Sequence, residues 1–131
     1  NFVVKLHPLS QASVEEPAVG ADEFSSFEML FAADYVISDY SCIVYEAAVR
    51  RIPLYFYNFD MELYADGRGL ALDYEQEVPG PVSDDAKEII AAIETKEYDM
   101  DALKRFADKY VNPVGHATKD IVDFVFTLIN E

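Results

Sequence analysis

The residues best suited to chemistry form the run Ser38-Asp39-Tyr40-Ser41-Cys42. This run lies between an apolar strand, predicted over residues 35–38, and an apolar helix, predicted over residues 41–50. Because backbone N–H groups at a helix N-terminus are unpaired and carry the positive end of the helix dipole, the junction suits a phosphate. The alternative is an ordinary Ser/Asp cap on a core helix. The run contains no glycine, which excludes a Walker loop or a dinucleotide fingerprint.

Polar side chains also follow the other predicted strands. His7 follows the strand at residues 2–6, and Asp60, Tyr64 and Arg68 follow the strand at residues 54–57. Ligands of open α/β sheets bind beyond the carboxyl ends of the strands, so we expect these groups to converge there. His7 suits an acid/base or phosphate-binding role, or alternatively a bond to a neighbouring carbonyl. Arg68 suits a bidentate phosphate contact, or alternatively a solvated ion pair.

The helix that follows the run carries two further candidates. Glu46 is the one charged residue between positions 42 and 49, so it either accepts from ribose hydroxyls or faces water. Cys42 has no base partner in the sequence and is interpreted as a packing residue rather than a nucleophile. Two isolated histidines and one cysteine lack the spacing of metal ligands, so we expect no metal and no other cofactor.

The elements that position these residues are short apolar strands alternating with helices. This pattern predicts an α/β fold in which a parallel sheet is covered on both faces. We expect the strands at residues 2–6, 35–38 and 54–57 to lie side by side. Two long loops are expected at residues 10–22 and 58–80, the second with a possible short strand at 70–72. The predicted helices cover residues 25–33, 41–50, 83–95, 100–110 and 117–129.

Length and composition limit the possible functions. The chain has 131 residues, enough for one domain over residues 1–131, with the helices of residues 97–131 packed on it. A net charge of -15 argues against a nucleic-acid partner. A single cysteine favours a reducing, cytoplasmic compartment. The sequence has no apolar run of spanning length, so any membrane contact is expected to be peripheral. A strand at the very first residues predicts a fragment of a longer chain.

Five motifs, in this order, carry a resemblance to a known family. They are Val-Val-Lys-Leu-His-Pro at residues 3–8, Ala-Asp-Tyr-Val-Ile-Ser-Asp-Tyr-Ser at 33–41, Ile-Pro-Leu-Tyr-Phe-Tyr at 52–57, Arg-Gly at 68–69 and Pro-Gly-Pro at 79–81. Over residues 7–118 the chain resembles the C-terminal half of the CDP-glycerol glycerophosphotransferases, the teichoic-acid primases and polymerases. The ordered set of motifs is more specific than any one of them.

The resemblance implies a fold and a set of roles. It implies a three-layer Rossmann-like domain, the C-terminal half of a GT-B glycosyltransferase architecture, that binds CDP-glycerol or CMP. His7 matches the family's strand-His-Pro histidine and is the implied catalytic group. Asp39, Tyr40 and Ser41 match an Asp-Tyr-Ser-Ser turn, in which Cys42 replaces the second serine, and Arg68 matches an Arg-Gly pair.

The resemblance also implies a reaction and a setting. The reaction is transfer of glycerol phosphate to a polyol-phosphate acceptor of teichoic-acid type, with an absent N-terminal domain on the acceptor side, at the inner face of the plasma membrane. Taken together, the residue patterns and the resemblance predict a donor site that includes Ser38, Asp39, Ser41, Cys42, Glu46, Asp60, Tyr64 and Arg68. Two alternatives stay open, namely half of a nucleotide-sugar glycosyltransferase and a degenerate, non-catalytic domain of the same fold.

Overall fold

A computed structural model describes residues 1–6, 19–20, 23–111 and 115–130 of the chain. It contains five short strands and six helices within those residues. The strands are β1 Val3–Val4, β2 Val19–Gly20, β3 Val36–Ser38, β4 Leu54–Tyr57 and β5 Val82–Ser83. The helices are α1 Ser26–Met29, α2 Ile43–Val49, α3 Met61–Arg68, α4 Ala86–Thr95, α5 Met100–Tyr110 and α6 Ala117–Ile129.

The main sheet has three parallel strands in the order β3-β4-β5. Val36 pairs with Leu54 and Ser38 with Phe56, so β3 and β4 end at the same level. Phe56 also pairs with Val82 of β5. The chain segments that leave β3 and β4 therefore start at one common edge of the sheet.

The sheet is covered on both faces around its middle strand. Leu54, Tyr55 and Phe56 of β4 are each at most 1% exposed. Successive side chains of a strand point to opposite faces, so full burial of all three requires a layer on each side. Leu54 and Phe56 pack in the main cluster with residues of α2 and α5, and Tyr55 contacts Tyr98 on the other side. The predicted class, a covered parallel α/β sheet, is confirmed.

Side-chain caps explain where three of the six described helices begin. Ser25 and Glu28 form a reciprocal capping box at the start of α1. Asp85 caps α4 and Asp99 caps α5, each accepting from a first-turn N–H. The predicted bounds of α5 and α6 are confirmed, whereas α1 is shorter than the predicted helix at residues 25–33.

Three predictions about the sheet and its loops are wrong. β1 pairs with β2 in a separate two-stranded parallel sheet and does not lie beside β3, because residues 19–20, predicted as loop, supply its partner. The predicted loop at 58–80 contains helix α3, which ends at Gly69 with φ of 76°. A turn of this kind is open mainly to glycine. The possible strand at 70–72 is not formed, and the third strand of the sheet is β5 instead.

The two C-terminal helices differ in burial. α5 packs on α2, where the rings of Tyr45 and Phe106 stack at 5.8 Å between centroids, and Leu103 is completely buried. Helix α6 has no buried residue. In the part of the chain that the structure describes, no helix has the length and apolar character needed to cross a bilayer.

Alanine substitutions at two glycines should change the free energy of unfolding in opposite directions. A Cβ at Gly80 would lie 1.9 Å from the Leu54 carbonyl oxygen, so Gly80→Ala must displace β4 and should lower the free energy of unfolding by about 2–3 kcal/mol. A Cβ at Gly67, in the last turn of α3, would meet no neighbouring atom within 4 Å. Gly67→Ala should therefore raise the free energy of unfolding by about 0.4–1 kcal/mol. Urea denaturation of both variants measures the difference. Equal effects would contradict the close approach at Gly80.

Candidate functional site

A cavity of about 110 Å³ opens between the start of α2 and the segment at residues 69–74. It lies at the edge of the sheet where β3 ends, which is where ligands bind in open α/β folds. Its walls are mostly aromatic and aliphatic, and the side chains of Ser41 and Cys42 also line it. The lining residues are Tyr40, Ser41, Cys42, Val44, Tyr45, Tyr64, Gly69, Leu70, Ala71, Leu72 and Tyr74.

The turn after β3 is held in place by tyrosines. The Tyr74 hydroxyl donates to the Asp39 carbonyl oxygen at 3.1 Å. The Tyr40 ring stacks on Tyr64 of α3 with 3.8 Å between centroids and meets Tyr74 edge to face at 5.7 Å. Ser41 Oγ accepts from the Ile43 N–H at 3.4 Å. The turn is therefore fixed from α3 and from the segment that carries Tyr74.

Asp60 is joined to the tyrosines around the cavity by a hydrogen bond. The Tyr40 hydroxyl donates to Asp60 Oδ1 at 3.0 Å. Burial, followed by this bond to a carboxylate, raises the pKa of Tyr40 to about 12, while the nearby Asn58 side chain opposes the rise. Tyr40 therefore keeps its proton, and with it the bond to Asp60, to a more alkaline pH than an ordinary tyrosine does.

Tyr74 connects the cavity to the core. Its ring packs against Phe56 of β4, and burial, with the charge of Asp39, raises the pKa of Tyr74 to about 12. The turn that follows is tied to α5, because Lys109 pairs with Glu77. That hydrogen bond lowers the pKa of Glu77 to about 2. The wall formed by Tyr74 is thus anchored on both sides.

The structure brings together several of the residues predicted from the sequence. Ser41, Cys42 and Tyr64 line the cavity. Asp39 and Asp60 contact its tyrosines, and the Arg68 guanidinium lies 5.9 Å from the centroid of the Tyr64 ring. Arg68 and Cys42 are both exposed.

Two predicted residues stand apart from the cavity. Ser38 is half-buried in β3, where it pairs with Phe56, and Glu46 is exposed on α2. Neither side chain lines the cavity. His7 lies outside the described residues, so its proposed role stays a prediction.

Sequence reasoning missed the aromatic wall of this cavity. Tyr45 and Tyr74 line it, yet neither belongs to the predicted site. Tyr45 lies three residues after Cys42, a helical spacing that puts both on one side of α2 and was available as a signal. Tyr74 lies in a segment without periodicity, so no local pattern indicated its position.

The contribution of the hydrogen bond between Tyr74 and Asp39 to stability can be measured. Tyr74→Phe removes the bond to Asp39, which should lower the free energy of unfolding at pH 7 by about 1 kcal/mol. The pKa of Tyr74 is about 12 in the folded protein, above its ordinary value of 10.0. The stabilisation linked to the Tyr74 proton is therefore fully present below pH 10 and is lost as the pH rises toward 12. Tyr74→Phe should therefore show a shallower fall over that range in urea denaturation.

The matched control for that measurement is Tyr57→Phe, at the end of β4. Tyr57 is half-buried and is not among the residues that line the cavity. Tyr57→Phe should leave the free energy of unfolding at pH 7 near wild type. If Tyr74→Phe behaves in the same way as this control, the bridge to Asp39 contributes nothing.

Comparison with known proteins places these observations in a family. The family model for CDP-Glycerol:Poly(glycerophosphate) glycerophosphotransferase matches residues 1–127. The teichoic acid glycerol-phosphate primase of Bacillus subtilis (strain 168) is 29% identical over 133 residues, which cover 97% of this chain and 35% of the primase. The teichoic acid poly(ribitol-phosphate) polymerase of Bacillus spizizenii is 28% identical, over 93% of this chain and 21% of the polymerase. The chain thus spans about a third or less of these relatives.

A solved structure shares the fold. The wall teichoic acid polymerase TagF superposes with a TM-score of 0.61 at 24% identity, over 86% of this chain and 29% of TagF. The Rossmann-like fold predicted from the sequence is therefore confirmed as part of the TagF fold. The family resemblance is confirmed as well, because the family model matches nearly all of the sequence. This chain belongs to the CDP-glycerol:poly(glycerophosphate) glycerophosphotransferase family.

Proposed function

We propose that this chain is the donor-binding domain of an enzyme that transfers glycerol phosphate from CDP-glycerol to a teichoic-acid-type acceptor, with CMP as the leaving group. The observation that carries the proposal is the cavity at the end of β3, where Ser41, Cys42 and Tyr64 meet in a member of this family. Its aromatic walls suit a nucleotide, whose base and sugar have large apolar faces.

The phosphates of the donor would lie near Ser41 and Arg68. Arg68 is exposed at the end of α3 and presents a planar guanidinium that can bind two phosphate oxygens at once. Phosphoryl transfer depends on positioning and on neutralising the charge that develops on the leaving phosphate. Arg68 would supply that charge, and His7 would supply a proton or a hydrogen bond to the same oxygens.

Cys42 marks where this site departs from the family's Asp-Tyr-Ser-Ser turn. The thiol lines the cavity in place of a hydroxyl. A thiol is a weaker donor and acceptor than a hydroxyl, so Cys42 would give the donor a weaker contact at this position. Cys42→Ser would therefore strengthen donor binding rather than weaken it.

The second candidate donor is CDP-ribitol. The observation in its favour is that proteins similar to this chain include the poly(ribitol-phosphate) polymerase of Bacillus spizizenii as well as the glycerol-phosphate primases. Both donors carry the same cytidine and pyrophosphate and differ in the polyol. The acceptor side and any contact with the inner face of the membrane would belong to a further, N-terminal part of the protein.

Ligand titration of the chain tests the donor class. Calorimetry with CMP, CDP-glycerol, CDP-ribitol and UDP-glucose should give Kd values at least about tenfold lower for the cytidine ligands, because the cavity would recognise the base. A preference for UDP-glucose would favour a nucleotide-sugar glycosyltransferase. No binding of any of the four would favour a non-catalytic domain.

Two substitutions separate catalysis from binding. In the natural protein that contains this sequence, His7→Ala should lower the rate of glycerophosphate transfer by about a hundredfold while leaving Tm nearly unchanged. Arg68→Ala should lower the rate and also raise the Kd for CMP, because a guanidinium on phosphate acts in the ground state as well. Arg105→Ala, an exposed arginine on α5 paired with Asp99, is the control and should change neither. Near-wild-type transfer by His7→Ala would contradict its catalytic role.

A further inference from the structure

The cavity is smaller than the ligand that the proposed function assigns to it. Its volume is about 110 Å³, whereas pockets that enclose small-molecule ligands measure about 300–1,000 Å³. The walls of the free protein therefore lie too close together to enclose a nucleotide donor. At least one wall must move when the donor binds, and the contacts of each wall indicate which one.

Three of the four tyrosines that line the cavity are held from more than one side. Tyr74 donates to the Asp39 carbonyl oxygen and packs on β4. Tyr45 packs against two aromatic rings of α5, with 5.8 and 5.9 Å between centroids. Tyr40 donates to Asp60, meets Tyr74 edge to face and packs against the main core cluster. These three walls are therefore fixed.

Tyr64 is held less firmly than the other three tyrosines. Within the described residues, its one ring-to-ring contact is the stack on Tyr40, with 3.8 Å between centroids and 22° between planes. The Arg68 guanidinium near its ring belongs to the same helix, α3. Helix α3 has no buried residue, and Leu63, next to Tyr64, is 75% exposed. Segments with few buried contacts are displaced at low free-energy cost, so Tyr64 is the wall that can move.

Moving Tyr64 would uncover one face of the Tyr40 ring. The Tyr64 ring covers that face in the near-parallel arrangement that a base adopts on an aromatic side chain. Tyr40 directly precedes Ser41, near which the phosphates of the donor would lie on the proposed function. A base stacked on Tyr40 would thus lie beside the phosphate position. The bond to Asp60 and the contact with Tyr74 keep the Tyr40 ring in place, so this face is organised before the donor binds.

We propose that the Tyr40 ring is the stacking platform for the base of the nucleotide donor, and that Tyr64 covers this platform in the free protein. When the donor binds, the Tyr64 side chain turns away and the base takes its place on Tyr40. A base stacks on an aromatic ring at least as strongly as a second tyrosine does, so the exchange favours the bound state. The inference rests on the proposed function, because it states how that site holds the base.

The test is Tyr64→Ala in the natural protein that contains this sequence. Alanine favours a helix, so α3 should be kept, and the platform is then uncovered before the ligand arrives. Calorimetry should give a Kd for CMP about three- to tenfold lower than in wild type, the scale of one aromatic pair. A fixed wall that contacts the ligand predicts the opposite sign, a higher Kd. The gain should be the same for UMP, because stacking does not depend on the edge of the base.

Control variants isolate the two rings. Leu63→Ala, at the neighbouring exposed position on α3, should leave the Kd for CMP unchanged. In the Tyr64→Ala background, Tyr40→Leu should raise the Kd for CMP about tenfold more than Tyr40→Phe does. Both Tyr40 variants lose the hydrogen bond to Asp60, so the difference between them measures the ring.

A spectroscopic measurement on the wild-type protein follows the displacement directly. Fluorine NMR after labelling with 3-fluorotyrosine reports the surroundings of each ring, and Tyr64→Phe identifies the Tyr64 signal. Saturation with CMP should shift that signal toward the position of an exposed tyrosine, because the ring leaves Tyr40. A Tyr64 signal that keeps its position while CMP binds would overturn the inference, whatever the variants do.

The possible outcomes separate this inference from the proposed function. If the wild-type protein binds neither CMP nor CDP-glycerol, the proposed function itself fails. If wild type binds CMP and Tyr64→Ala binds it equally or more weakly, only the role of Tyr64 as a cover is overturned. A gain in Tyr64→Ala that extends to inorganic pyrophosphate would also overturn it, because pyrophosphate has no base to stack.

Discussion

The middle strand, β4, is the element on which the structure depends. It has four residues, and its neighbours have three and two, so the hydrogen-bond ladder of this sheet is short. Leu54, Tyr55 and Phe56 are buried against layers on both faces, and this burial adds stabilising free energy that so few hydrogen bonds do not provide. Because β3 is paired in register with β4, the chain leaves both strands at one edge of the sheet. The location of the candidate site follows from this single packing arrangement.

Tyrosines turn that edge into a defined cavity. The hydroxyl of Tyr74 reaches Asp39 across 35 residues of sequence, and the hydroxyl of Tyr40 reaches Asp60 across 20. Each ring also packs on another ring of the cluster, so moving one side chain would disturb several contacts. Such coupled aromatic contacts add to the hydrogen bonds and favour one arrangement of the loops. The site is therefore organised before any ligand binds.

The sequence indicated the regular elements better than the site. The bounds of α5 and α6 followed from apolar stripes, and β4 followed from an unbroken apolar run after Pro53. Helix α3 was missed because Gly67 and Gly69 fall at its end, where glycine usually indicates a loop. The partner of β1 was missed because residues 19–20 lie among turn-forming residues. The position of Tyr74 results from tertiary contacts, which a single sequence does not encode locally.

The charge distribution of the site bears on how a donor would be oriented. The chain carries a net charge of -15, yet surface charges are screened over about 8–10 Å at physiological salt, so groups near the cavity decide what binds. The Arg68 guanidinium, at the last residue of α3, lies near Tyr64. Asp60, at the N-cap of the same helix, is held by Tyr40. On the proposed function, the phosphates of the donor would bind at the Arg68 end of α3. A ligand in the reversed orientation would place its phosphates against the Asp60 carboxylate, which repels them.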